Sequence, residues 1–190
     1  MKKVILLIVA CLLAGNLWGQ GLRLEHVTSN LVDRNIIYDP SYKVISYPMG
    51  DIDPKRGVCT DAVIRAYRKI GVDLQQLVHE DMKTNFSKYP QKWGRTEPDS
   101  NIDHRRVLNL MTFFNRKGTV LPITNNGMDY RPGNIICWEL SSGIYHIGIV
   151  TNISNDGKKF LIFHQIGNGQ VEEDVLFNWK IIGHYRYPAK

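Results

Sequence analysis

Cysteine is scarce in this chain, with three in 190 residues. Cys11 falls in an N-terminal stretch that reads as removable, which leaves Cys59 and Cys137. Two thiols permit one bridge at most, so a disulfide framework is excluded. Long apolar runs are missing as well. The run from Val4 to Ala14 is too short to span a bilayer comfortably. The formal charge of +6 is scattered, in nothing longer than adjacent pairs such as Lys2-Lys3, Arg105-Arg106 and Lys158-Lys159. That excludes a nucleic-acid stripe, and no RNA-binding signature is present. Repeats and low-complexity tracts are absent, so the length suits one domain with a real core.

What the N-terminus does have is the layout of an export signal. Lys2 and Lys3 precede the apolar run, and small and polar residues follow it up to a cut near Gly19 or Gln20. Residues 1–19 are therefore expected to be a signal peptide and residues 20–190 the mature domain, exported to the periplasm or beyond. A membrane anchor is the competing reading. Lipidation at Cys11, in Ile8-Val9-Ala10-Cys11, is another, though the apolar stretch ahead of it is short. Loss of Lys2 and Lys3 lowers the formal charge to +4, which suits an acidic polymer such as the cell wall and equally suits plain solubility.

Helices come first and strands later. The pattern predicts helices over 22–36, over the stretch GVCTDAVIRAYRKIG (57–71), over 73–86 and near 104–117, with loops at 38–56 and 87–101. From Thr119 onward the period changes. TVLPI, NIICWEL, HIGIVTNI, KFLIFHQI and IIGHYRY are short strands, and Asn155-Asp156-Gly157 is a hairpin turn. This order argues an α+β domain with an antiparallel sheet.

Cys59 stands at the start of the second of these helices, one residue ahead of Thr60 and two ahead of Asp61. Free N–H groups and the partial positive charge of a helix N-terminus favour a thiolate. Among six histidines, His146 and His164 fall on neighbouring strands and are placed to share one face. A thiol, an imidazole base and a second group that orients the base form the arrangement of nucleophilic catalysis. The bland reading is two half-buried polar residues and a Cys59–Cys137 bridge.

Those residues resemble a known pattern. Tyr47-Pro48-Met49-Gly50, Gly57-Val58-Cys59-Thr60, Arg131-Pro132-Gly133-Asn134, His146-Ile147-Gly148-Ile149-Val150 and Phe163-His164 follow, in order, the blocks of the NlpC-type cell-wall cysteine peptidases. The resemblance covers about residues 45 to 166. It implies a papain-like fold with Cys59 as nucleophile, His146 as base, His164 as orienter and Tyr47 near the oxyanion site. GVCTDAVIRAYR, DLQQLVHEDM, NIDHRRVLNL, HIGIV and GHYRYP resemble, more closely, the exported bacterial family termed domain of unknown function 1287. That kinship brings no activity with it.

Departures from the peptidase pattern concern specificity. The acid usually found before the cysteine is displaced to Asp61, two places after it, and Asn134 replaces an Asp, which suggests a turn role. Asp61, Arg105 and Trp138 are candidate substrate contacts. Arg105 or Arg106 suits a peptide-stem carboxylate, and Trp93, Trp138 and Trp179 suit a groove wall or simply core. His79-Glu80-Asp81-Met82 has a metal-ligand look but lacks the paired histidines of a zinc helix. The expectation is a monomeric thiol hydrolase acting on amide bonds of peptidoglycan stem peptides, with no metal or organic cofactor and no nucleic-acid partner. Acyl transfer by the same residues, or a non-catalytic wall-binding protein, are the alternatives.

Overall fold

The computed structural model describes residue 24 and residues 26–154 and 156–188. The expected signal peptide, Cys11 included, lies outside the described residues, as does Asn155 of the expected turn. None of the described helices is long and apolar enough to cross a membrane.

Beyond residue 29, three described α-helices precede the main sheet: α1 (Cys59–Lys69), α2 (Leu74–Asn85) and α3 (Val107–Lys117). α1 starts where it does because Asp61, in its first turn, accepts the Val58 N–H at 2.7 Å. Val58 has no polar atom to return the cap. Gly57 permits the close approach, since a Cβ there would sit 3.1 Å from the Asp61 Cβ. The helix stops at Gly71, whose φ is +81°. Asp73 caps α2 by accepting the Gln75 N–H at 3.2 Å. α3 begins later than the sequence indicates, because Asp103–Arg105 form a 3-10 turn and Arg106 is extended. The helix expected over 22–36 also shrinks, its helical backbone ending at Ser29. Asp33 accepts the Asn35 N–H instead, a local turn that competes with helix.

The strands are β1 (Ile37–Tyr38), β2 (Arg56–Gly57), β3 (Thr119–Val120), β4 (Ile135–Glu139), β5 (Tyr145–Ile153), β6 (Phe160–Gln165), β7 (Gln170–Glu173) and β8 (Lys180–Arg186). β1 and β2 pair in parallel and tie the ends of the 38–56 loop beside the start of α1. The other six form one sheet in the order β3-β8-β4-β5-β6-β7, with every pair antiparallel. The fold is therefore α+β.

Both faces of this sheet are covered. On the helix side Ile135, Cys137, Ile147, Ile149 and Phe163 pack with Ala62, Val63, Ala66 and Tyr67 of α1. On the other side Ile136, Trp138, Val150 and Ile162 pack with Tyr130, Val175 and Leu176. Full burial of each large apolar side chain contributes about 1.5–3 kcal/mol. Successive residues point to opposite faces, so two buried faces make the strands read as nearly continuous apolar runs. The β5–β6 ladder includes Ile149↔Phe163 and runs away from His146. At the near end the first turn of α1 meets the sheet, and the Gln165 side chain donates to the Gly57 carbonyl at 3.0 Å.

Candidate functional site

Cys59 is the first residue of α1 and is 5% exposed. Its sulfur receives N–H groups from Ile147, Thr60 and its own backbone, each of which favours a negative charge. Burial outweighs them and, with the Asp61 carboxylate nearby, pushes the thiol up to about 12. The expected thiolate is thus corrected to a neutral thiol, because the N–H groups at a helix start do not compensate for removal from water. Cys137 lies in the same cluster, and its burial likewise pushes its thiol up. Both thiols are free, so the bridged alternative is not what the structure holds.

His146 and His164 do come together. His146 Nε2 is 2.9 Å from His164 Nδ1, and the rings meet edge to face at 5.1 Å. Gly148 makes this possible, since a Cβ there would lie 2.6 Å from Ile162 Cγ2 and 3.2 Å from His164 Cβ. His146 is 2% exposed, and burial and the His164 neighbour push its imidazole down to about 3. His164 is also shifted down by burial, against the opposing pull of Glu173. Its Nε2 lies 3.3 Å from Glu173 Oε2.

Cys59 and the two imidazoles approach the sheet from different sides. The sulfur belongs to the helix-side cluster, whereas the His146 ring lies 5.7 Å from Trp138 and 5.6 Å from Trp179. Among the described residues no hydrogen bond joins Cys59 to His146. They are nonetheless neighbours through the backbone, because the N–H reaching the sulfur is that of Ile147, the next residue after His146. His164 engages Nε2 of His146, so Nδ1 is the ring nitrogen that the pair does not use.

A cleft of about 210 Å³ opens over the thiol, walled in part by Tyr38, Cys59, Trp93, Arg105, Arg106 and Tyr145. Arg106 lies 4.1 Å over the Trp93 ring and 3.6 Å from an Asp103 oxygen, a loose pairing for a charge at a cleft wall.

Four sequence expectations change here. Tyr47 does not line the cleft; its ring sits 5.0 Å from His79 on α2. The backbone after it is pinned there by Met49 N–H to Asp73 and Gly50 N–H to Gln75, each at 2.8 Å. Tyr38 takes its place, and the charge neighbours that help push its phenol up to about 12 are Cys59 and Asp61, after burial. Asp61 is not a substrate contact. It is 3% exposed and accepts from Arg105 at 2.8 and 3.0 Å as well as from Val58. Arg105 does line the cleft, but its donors are engaged by Asp61, the Ser41 carbonyl and the Asp39 carbonyl, so it fastens the 39–41 loop rather than waiting for an acid. Trp138 is fully buried and donates to the Leu176 carbonyl at 3.0 Å, which makes it a floor beneath His146 rather than a groove wall.

The remaining motifs resolve into structure. Asp81 is engaged by Tyr89, Arg116 and Lys117. Asn134 accepts the Arg131 N–H at 3.0 Å and lies 2.8 Å from His184, which is a turn role. Sequence reasoning missed Tyr38, Tyr145 and Glu173. The aromatic content of the 38–56 segment is the signal nearest to Tyr38, and no comparable signal marks Tyr145 or Glu173.

Comparison with known proteins comes to two findings. A family model described as "Domain of unknown function (DUF1287)" matches residues 26–187. The chain is 52% identical over 160 residues to "Uncharacterized protein YijF" of Escherichia coli (strain K12), an alignment covering 84% of this chain and 78% of that protein.

Proposed function

This chain belongs to the DUF1287 family, and from that premise we propose that it is an exported thiol hydrolase of papain-like, NlpC-type architecture that cleaves amide bonds in peptidoglycan stem peptides. One observation carries the reading. A cysteine in a cleft wall has backbone N–H groups at its sulfur, one of them from Ile147, the residue next to an imidazole whose Nε2 is held by a second imidazole. A packing cysteine needs none of this.

The chemistry follows from the resting protonation. The thiol is neutral at rest, so attack and proton transfer are coupled. Cys59 Sγ bonds to the amide carbonyl carbon while its proton passes to His146 Nδ1, and the carbonyl oxygen takes the negative charge. The imidazolium then protonates the leaving nitrogen as the C–N bond breaks, leaving a thioester. Water adds with its proton going to His146, and the thiolate departs to recover that proton. Substrate binding has to bring Sγ and Nδ1 into direct contact, since among the described residues no hydrogen bond joins Cys59 to His146 at rest. In this reading the N–H groups near the sulfur and the Tyr38 hydroxyl serve the developing oxyanion. Arg106 stacked on Trp93 supplies a cation and an apolar plate suited to a peptide with a free carboxylate.

The test is incubation of the mature protein and its Cys59→Ala variant with stem-peptide and crosslinked muropeptide fragments, followed by mass spectrometry. The reading predicts products gaining one water per cleaved bond, formed only when Cys59 is present. Absence of any Cys59-dependent product across both substrate sets overturns it.

A further inference from the structure

The buried histidine pair raises a question of direction. His164 is fully buried, and its Nδ1 meets His146 Nε2 at 2.9 Å. Two neutral imidazoles can share that one proton either way. If His164 carries its hydrogen on Nε2, its bare Nδ1 accepts from His146 Nε2–H, and His146 Nδ1 is left with a lone pair. In the reverse arrangement His164 Nδ1–H donates to His146 Nε2. Then His146 Nδ1 carries a hydrogen and can accept nothing.

Glu173 decides between them. It stands on β7, two residues beyond Val171, the partner of His164 across the β6–β7 ladder, and so shares the His164 face. Its Oε2 is 3.3 Å from His164 Nε2, a nitrogen that is buried and has no well-directed hydrogen bond. The Glu173 side chain is 31% exposed, so its carboxylate reaches His164 from the solvent edge. A carboxylate only accepts, so it opposes a bare Nε2 and favours Nε2–H. The titratable or charged groups facing His164 among the described residues are His146 from β5 and Glu173 from β7; Trp179, 6.3 Å away, completes the wall without a charge.

We infer that Glu173 is a positioning residue that sets the tautomer of both histidines and so keeps His146 Nδ1 free to accept a proton. The inference deepens the hydrolase reading and rests on it for its catalytic consequence, while its tautomer content stands apart from activity.

The experiment uses histidine ¹⁵N-labelled mature protein at neutral pH, with long-range ¹H–¹⁵N correlation spectra of wild type, Glu173→Leu and Glu173→Lys. Wild type is expected to show both His146 and His164 protonated at Nε2. Lysine can only donate, so Glu173→Lys is expected to move both to Nδ1–H, and Glu173→Leu to give a mixture. On a cleaved substrate, Glu173→Lys is expected to lose kcat toward the roughly 10⁴-fold that a base in the wrong tautomer loses, with KM unchanged. A wild-type His146 protonated at Nδ1, or either folded variant with the wild-type pattern, overturns the inference. Tautomers that shift in a protein with no hydrolysis on any substrate sustain the inference and sink the hydrolase reading instead.

Discussion

Asp61→Asn is the sharpest probe of how the cleft is built. The carboxylate is 3% exposed, takes two bonds from Arg105 at 2.8 and 3.0 Å and one from the Val58 N–H at 2.7 Å, and its partner guanidinium is 2% exposed. Asparagine keeps an oxygen for the Val58 N–H and removes only the charge, so the helix cap survives and Arg105 is left as a buried, unpaired cation. Removing one partner of a buried pair costs about 3–5 kcal/mol. For a domain of this size each kcal/mol moves Tm by about 2–4 °C, which gives a fall of roughly 6–20 °C by calorimetry. Because Arg105 also holds the Ser41 and Asp39 carbonyls, proteolysis within the 38–56 loop should accelerate in step. Replacing both partners, as Asp61→Asn with Arg105→Leu, should recover part of the loss, since no charge is then stranded. A Tm within 2 °C of wild type for Asp61→Asn refutes the buried-pair reasoning and returns Asp61 to the substrate-contact role that the sequence suggested.

Stability should fall in mild acid, for a reason with a definite sign. Burial pushes His104 and His146 down to about 3, so the unfolded chain binds more protons than the folded one between about pH 6.5 and 3 and stability is lost as pH drops through that window. Asp103, raised by burial to about 6, works in the opposite sense between about pH 4 and 6 but is a single group. Urea midpoints should therefore be lower at pH 4.5 than at pH 7, with a shallower slope in His104→Gln; an equal or higher midpoint at pH 4.5 contradicts this. Gly148→Ala should cost about 1–3 kcal/mol, because its Cβ would press on Ile162 Cγ2 and on the Phe163 carbonyl. It should also separate His146 from His164, which chemical-shift changes at both rings would report, and unchanged shifts would contradict the crowding.

α1 was legible in the sequence because its signals are local: an apolar stripe at helical spacing and Gly71 as a stop. The His146–His164 pairing was legible too, since hairpin-linked strands carry a fixed alternation. Neither rule reaches Tyr38. Three tyrosines, Tyr38, Tyr42 and Tyr47, fall in the 38–56 stretch, and Tyr47 is held away from the cleft by hydrogen bonds from Met49 and Gly50 to Asp73 and Gln75, far along the chain. Asp61 and Arg105 looked like substrate contacts because nothing local marks a partner 44 positions away. β7 was missed because Gln170-Val171-Glu172-Glu173 has one apolar residue, so its place at the sheet edge comes from pairing with β6 rather than from pattern. The protonation of Cys59 was hidden for a related reason. The helix terminus is visible in sequence, whereas the burial that outweighs it exists only after the sheet and helices close.

A covalent thioester on Cys59 is the species on which the proposed function turns. Acid-quenched mixtures of wild-type protein and muropeptide, digested and sequenced by mass, should show the acyl portion of the substrate attached to the Cys59 peptide at early times. Cys59→Ala and His146→Ala should show none. Cleavage that proceeds in Cys59→Ala, or an acyl group that accumulates on Cys137 instead, contradicts the account.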